Sequence, residues 1–409
     1  MGALRYLMPK TVTPQVRVLT AAFLIQTIVI GLMFGYGVFF KVLEDELSWS
    51  RTLLSGASSL SVLVMGGFAI VAGRLTDRFG PRWVLTATSL TTGVGYFCMS
   101  CMTAPWQLLV SYGLLVGLGF ATHDVSTLST ISSWYPRRRG LVTGIVKTGS
   151  AIGQILVPLL VTFLVAISGW RNAFAYLGIL AAILLVALSQ AMKRKPLVTS
   201  GNLSKEPRPD TEDGLSFKQA QRDRKLWTFC AIQFCFLPSM MTIPLHIVAH
   251  ATDLGMTTER AALVLSLLGA ASIAGRLSVG YLVDRFGARQ ILCACLGTLL
   301  AALVVLRVTN STSWLYPVAL IYGAAHGGLF TAVSPSVAEY FGMKSHGAIF
   351  GTIVFFGTLS GAAGPVVAGM LFDQFGSYDL AFMILAALAT TGMLLAYSLP
   401  KQSRPRRQF

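Results

Sequence analysis

Gly73-Arg74-Leu75-Thr76-Asp77-Arg78-Phe79-Gly80-Pro81-Arg82 returns later in the chain as Gly280-Tyr281-Leu282-Val283-Asp284-Arg285-Phe286-Gly287-Ala288-Arg289. From Asp77 to Asp284 the offset is 207 residues. The same offset relates Gly140 to Gly347, Gly144 to Gly351 and Pro158 to Pro365. Three separate regions sharing one offset identify two parallel halves of about 200 residues each.

Around these repeats the chain is apolar. Of its 409 residues, 54% are hydrophobic and 12% charged, with a mean hydropathy of +0.67. A soluble domain carries about 25% charged residues, so this surface suits lipid rather than water. Apolar runs of about twenty residues fall at 17–40, 53–73, 83–103, 106–133, 141–166, 171–191, 226–250, 260–283, 288–307, 313–339, 347–371 and 378–399. The polar stretch 193–225 reads as a linker between 1–192 and 226–409, with an amphipathic surface helix expected over Leu215–Trp227. The expected fold is an all-α membrane protein of twelve transmembrane helices, arranged as two six-helix bundles related by pseudo-two-fold symmetry. Leu19–Phe40 is long enough to span and further spans follow, so no cleavable leader is expected. Cys98, Cys101, Cys230, Cys235, Cys293 and Cys295 lie in apolar runs and read as small buried hydrophobes. Cys98 and Cys101 have redox-motif spacing but lack the βαβ setting of that motif.

The net charge of +16 does not point to nucleic acid, because the basic residues cluster between apolar runs. With the N-terminus inside, 25 of the 32 lysines and arginines fall on the cytoplasmic side and 5 on the other. The expected placement is multi-pass in the inner cell membrane, with both termini cytoplasmic and anionic lipid alongside. Lys147 and Arg276 remain inside spans.

The repeated loop resembles the Gly-x-x-x-Asp-Arg-x-Gly-x-Arg signature of the major facilitator superfamily. This implies a gate on the cytoplasmic face, with Asp77, Arg78, Arg82, Asp284, Arg285 and Arg289 as candidate gating residues. The glycines permit close approach, and each aspartate can pair with an arginine or a helix N-terminus. The plainer alternative is loop stabilisation. Two further stretches are Val38-Phe39-Phe40-Lys41-Val42-Leu43-Glu44 followed by Ser48-Trp49-Ser50, and Ser133-Trp134-Tyr135-Pro136-Arg137-Arg138-Arg139-Gly140 followed by Gly144 and Gly149. Together with Arg276 they resemble the monocarboxylate transporter family, in a bacterial branch. That family carries an aspartate one turn before the arginine, where this chain has Ser272. Its animal members carry a lysine in helix 1, where this chain has Phe34. The oxalate–formate relatives carry a lysine in helix 11; Ile349–Leu371 has none.

Charges at membrane depth are costly and mark function or pairing. Arg276 lies about seven residues from the expected end of its span, roughly 10 Å deep, and its guanidinium suits a carboxylate. Substrate anchor and static ion pair are its two readings. Lys147 lies at similar depth, and the superfamily resemblance places its helix across a central cavity from that of Arg276. Asp124, roughly 15 Å deep, can pair with Lys147, as proton carrier or as counter-ion. His123, His246 and His326 are candidate substrate contacts, although a histidine in a membrane helix is often a satisfied hydrogen-bonding group. His246 also suits proton coupling, as an imidazole ordinarily titrates near neutrality, and Pro238 and Pro244 before it can make a hinge toward the outer mouth; for His250, as for the other three, a satisfied hydrogen-bonding role is the plainer reading. Phe355 and Phe356 read as packing.

The expected function is secondary transport by alternating access, proton-coupled, of a small organic monocarboxylate. Anion exchange or export of another amphipathic compound is the alternative, and a non-transporting receptor a remote one. No enzyme is expected: the sequence shows no nucleotide motif, metal-ligand cluster or soluble domain. Protons, lipid and an anionic small molecule are the expected partners of a monomer, without cofactor or metal.

Overall fold

The computed structural model describes residues 13–49, 51–194, 214–308 and 311–401. Helix α1 (Pro14–Leu47) starts where Thr13 Oγ1 accepts from Val16 N and Pro14 fills the first turn, where a missing N–H costs nothing. Then come α2 (Arg51–Phe79), α3 (Pro81–Ser100) and α4 (Pro105–Trp134). A 53-residue helical stretch, Arg139–Ala191, turns at Gly169 (φ 74°, ψ 163°), a backbone that side chains rarely adopt. It therefore crosses twice, as α5 (139–168) and α6 (170–191). A short helix, Phe217–Arg222, precedes α7 (Arg224–Asp253), α8 (Thr258–Phe286), α9 (Ala288–Val308), α10 (Leu315–Phe341), α11 (His346–Phe375) and α12 (Asp379–Ser398). Ten of these stretches are long and apolar enough to cross a membrane, Arg139–Ala191 among them. α3 supplies the twelfth crossing. Its hydroxyls bond carbonyls one turn back, as Thr88 to Val84 and Thr92 to Thr88, both 3.0 Å.

The twelve helices form the two six-helix bundles expected, α1–α6 and α7–α12. The repeated segment folds the same way in each: Gly80 (φ 90°, ψ 156°) and Gly287 (φ 99°, ψ 156°) turn the chain from α2 into α3 and from α8 into α9. Helices within a bundle approach to backbone contact, the device that replaces hydrophobic driving force in lipid. Large apolar side chains such as Leu159, Ile183 and Met370 lie 62–65% exposed, where lipid covers them.

Several expectations need correction. α1 runs seven residues past 40, because a helix continues once it leaves the apolar layer. The surface helix is only Phe217–Arg222; Trp227 belongs to α7, its indole donating back to Gln221 O at 3.0 Å. α7 runs as one helix through Pro238 and Pro244. Cys98 and Cys101 are exposed, unlike buried Cys230, Cys235 and Cys295; in lipid an apolar side chain does not need protein cover. Residues 195–213 of the expected linker, the first twelve residues and the tail from 402 lie outside the described residues.

Candidate functional site

The site begins with a break in α4. Leu109–Val116 is π-helical, and after Phe120 the helix loosens before restarting at His123. The break leaves the Phe120 carbonyl for His123 Nδ1 and turns Asp124 toward α5. There Lys147 Nζ lies 2.5 Å from Asp124 Oδ1. Gln26 of α1 completes the group. Its Nε2 donates to Asp124 Oδ1 (2.7 Å), Thr127 Oγ1 (3.1 Å) and His123 O (3.2 Å), while its Oε1 accepts from Ser150 (2.7 Å). His123 Nε2 is 3.6 Å from Asp124 Oδ1.

The second half faces this group with α8 and α10. Phe330 lies near both cations: its ring centroid is 5.8 Å from Lys147 Nζ and 6.0 Å from Arg276 Cζ. His326 packs edge-on against Phe330 and shares a 3.0 Å hydrogen bond with Ser272. Arg276 is 2% exposed, yet its Nε and Nη1 have no hydrogen-bond partner. Ten residues separate it from the end of α8, eight separate Lys147 from the start of α5, and ten separate Asp124 from the end of α4. At 1.5 Å per residue these charges share one layer, about 12–15 Å above the basic face.

Below the layer the halves are locked together. Asp77 accepts from Gly347 N (3.2 Å) and Ala348 N (3.0 Å) at the start of α11. Asp284 accepts from Gly140 N (2.9 Å) and Leu141 N (3.0 Å) at the start of α5. Each aspartate thus caps a helix of the opposite half, where the unsatisfied N–H groups favour an anion. Beside these caps the backbones touch: a Cβ on Gly140 would lie 2.1 Å from Gly280 O, and one on Gly73 2.2 Å from Gly347 O. The arginines serve their own halves. Arg82 donates to Gln190 (2.6 Å), Arg289 covers Tyr397, and Arg78 and Arg285 lie over Phe79 and Phe286. Gly269 lies seven residues before Arg276 and Gly37 eleven after Gln26, each on the same helix face as its partner, and a Cβ at either meets nothing within 4 Å.

Of the residues singled out in the sequence, Arg276, Lys147, Asp124, His123 and His326 come together. His246 does not. It lies twenty-two residues into α7, about 33 Å from its basic end, and its ring nitrogens meet Tyr378 Oη (3.1 Å) and Pro365 O (3.2 Å). Gln26, Ser150 and Phe330 escaped the sequence reading. A polar residue in mid-span could have flagged Gln26; one phenylalanine among 24 carries no such signal.

A family model described as Major Facilitator Superfamily matches residues 22–280 and again 236–409. The chain belongs to the Major Facilitator Superfamily. This transporter is 25% identical over 387 residues to "MFS transporter asaE" of Aspergillus flavus, covering 89% of the chain and 85% of the relative. It is 27% identical over 400 residues to Monocarboxylate transporter 11 of Homo sapiens, covering 94% and 82%. It thus resembles the monocarboxylate transporters across nearly its whole length; these relatives are fungal and human and do not place it in a bacterial branch. Among solved structures, the human organic anion transporter MFSD10 (TETRAN) superposes with a TM-score of 0.71 at 16% identity, covering 94% of this chain and all of that one. The Escherichia coli fucose:proton symporter FucP gives 0.70 at 14%, covering 93% and 98%. At these identities the likeness is one of fold.

Proposed function

We propose that this superfamily transporter carries a small organic monocarboxylate by alternating access, coupled to protons and acting as a monomer. One observation carries the reading: the guanidinium of Arg276 is buried between the halves with Nε and Nη1 unpartnered, while the other cation of the layer is already paired. A buried cation needs an anion, and two free N–H groups on a planar fork suit a carboxylate. The similarity to proteins named monocarboxylate transporters supports the same class of cargo. In this reading Asp77 and Asp284 form the gate on the basic face, which the 25-to-5 charge distribution assigns to the cytoplasm. His246, with both ring nitrogens engaged near the far end of α7, is assigned a structural role.

The test is uptake of labelled monocarboxylates by purified protein in proteoliposomes. An inward proton gradient should drive accumulation, and a protonophore should abolish it. Uptake that needs only a trapped counter-anion would replace symport by exchange. A second reading, export of a larger amphipathic compound, is favoured by similarity, at 24% identity over 393 residues, to a protein named Agnestins efflux protein. It would take over if carboxylates fail and such compounds are extruded.

A further inference from the structure

Asp124 sits in the charged layer on α4, a position that none of the superfamily's loop motifs explains. Among the described residues, the charged side chains at the depth of the layer are Asp124, Lys147 and Arg276. Two cations and one carboxylate leave a single positive charge uncompensated. The geometry decides which cation that is. Lys147 Nζ lies 2.5 Å from Asp124 Oδ1, whereas Arg276 keeps two unpartnered donors. The pairing is built in by a third helix. The Oε1 of Gln26 is occupied by Ser150 at 2.7 Å, so its amide can present only Nε2 to Asp124 Oδ1, also at 2.7 Å. Gln26 is fully buried and Ser150 is 4% exposed, whereas the Asp124 side chain keeps 20% exposure, so the clamp is held from the protein side while the carboxylate stays partly open.

Resting on the reading of this layer as an anion site, we propose that Asp124 is a specificity-determining residue that limits the substrate to one negative charge. By neutralising Lys147 it leaves Arg276, among the described residues of the layer, as the cation without a carboxylate partner, which a monocarboxylate matches. A dicarboxylate would bring its second carboxylate against Asp124 or leave it unpaired away from water, and both are costly. Both cations lie within 6.0 Å of the centroid of one phenylalanine ring. Once Lys147 is released, a short dianion therefore finds a second cation within reach. Asparagine at 124 keeps the size and one acceptor for Gln26 while removing the charge.

The probes are butyrate and succinate, four carbons each, with binding measured on the purified full chain at about pH 7.5, above the ordinary imidazole range. The unmodified protein should prefer butyrate by roughly tenfold or more. Asp124→Asn should move the affinity ratio toward succinate by at least about tenfold. Asp124→Asn with Lys147→Met should restore the butyrate preference. An unchanged ratio in a folded Asp124→Asn protein overturns the proposal, as does a double variant that still prefers succinate. Should Asp124→Asn fail a thermal-unfolding control, Lys147→Met alone decides. It strands the carboxylate beside the anion and should weaken butyrate about tenfold or more; unchanged affinity overturns the proposal. Failure of the anion-site reading itself shows earlier, as no binding of either probe by the unmodified protein or as binding indifferent to Arg276→Lys.

Discussion

Replacing Arg276 by lysine keeps a charge and removes a shape. A carboxylate wants two parallel donors, and lysine offers a compact point charge. Losing the charge-assisted pair should cost about 1.5–3 kcal/mol, so butyrate affinity should fall roughly tenfold to a hundredfold. Binding titrations on a variant with an unaltered unfolding temperature check this, and near-normal affinity would remove Arg276 from the site. The repeat adds a reason: 207 residues earlier stands Ala69, so the symmetric scaffold does not itself require the arginine. Arg276, Lys147 and Asp124 were legible in the sequence because a charge inside an apolar run is costly enough to stand out. Gln26 was less so, since an uncharged amide hides among the polar residues that membrane helices tolerate. His246 stood out in the sequence by the two prolines before it. Inside α7 they leave the helix unbroken, and Tyr378 and Pro365 O occupy the ring.

At the scale of elements, the informative pairs are α2 with α11 and α5 with α8. The aspartates were visible in the repeated loop, but their partners were not. The caps join residues 270 and 144 positions apart, a contact no local pattern encodes. Asp77→Asn and Asp284→Asn each replace a charged cap by a neutral one, which should weaken closure of the basic face by about 1 kcal/mol or more. Spin-label distances across that face should shift toward the open population in each variant and further in the double variant; unchanged distributions would count against the gate. Gly140→Ala is a sharper probe. A Cβ there lies 2.1 Å from Gly280 O, so the closed arrangement should be lost almost entirely while each bundle still folds. The corner at Gly169 was likewise invisible to hydropathy, which registers two apolar runs but not whether a loop divides them.

Over the whole molecule, the two-bundle architecture was readable from one offset and twelve apolar runs, because lipid imposes both helix length and internal backbone bonding. How the halves meet was not. The short helix Phe217–Arg222 shows why: Leu215 N donates to Phe341 O of one half at 2.9 Å, while Arg74 of the other lies 4.5 Å from the Phe217 ring. This helix should be cytoplasmic. A cysteine at Lys218 should resist an impermeant thiol reagent applied to intact cells and react in inverted vesicles; labelling from outside would reverse the topology. One feature of the seam bears on how cargo leaves. α5 carries Lys147 eight residues above the Asp284-capped turn at Arg139, and α8 carries Arg276 eight residues above Asp284. Between them, a Cβ on Gly144 of α5 would lie 2.3 Å from the carbonyl oxygen of Arg276 itself. In the proposed gating, parting α5 from α8 at the basic face would break the Asp284 cap and this contact at Arg276 together, so opening that face and slackening the hold on an anion beside Arg276 would be one event.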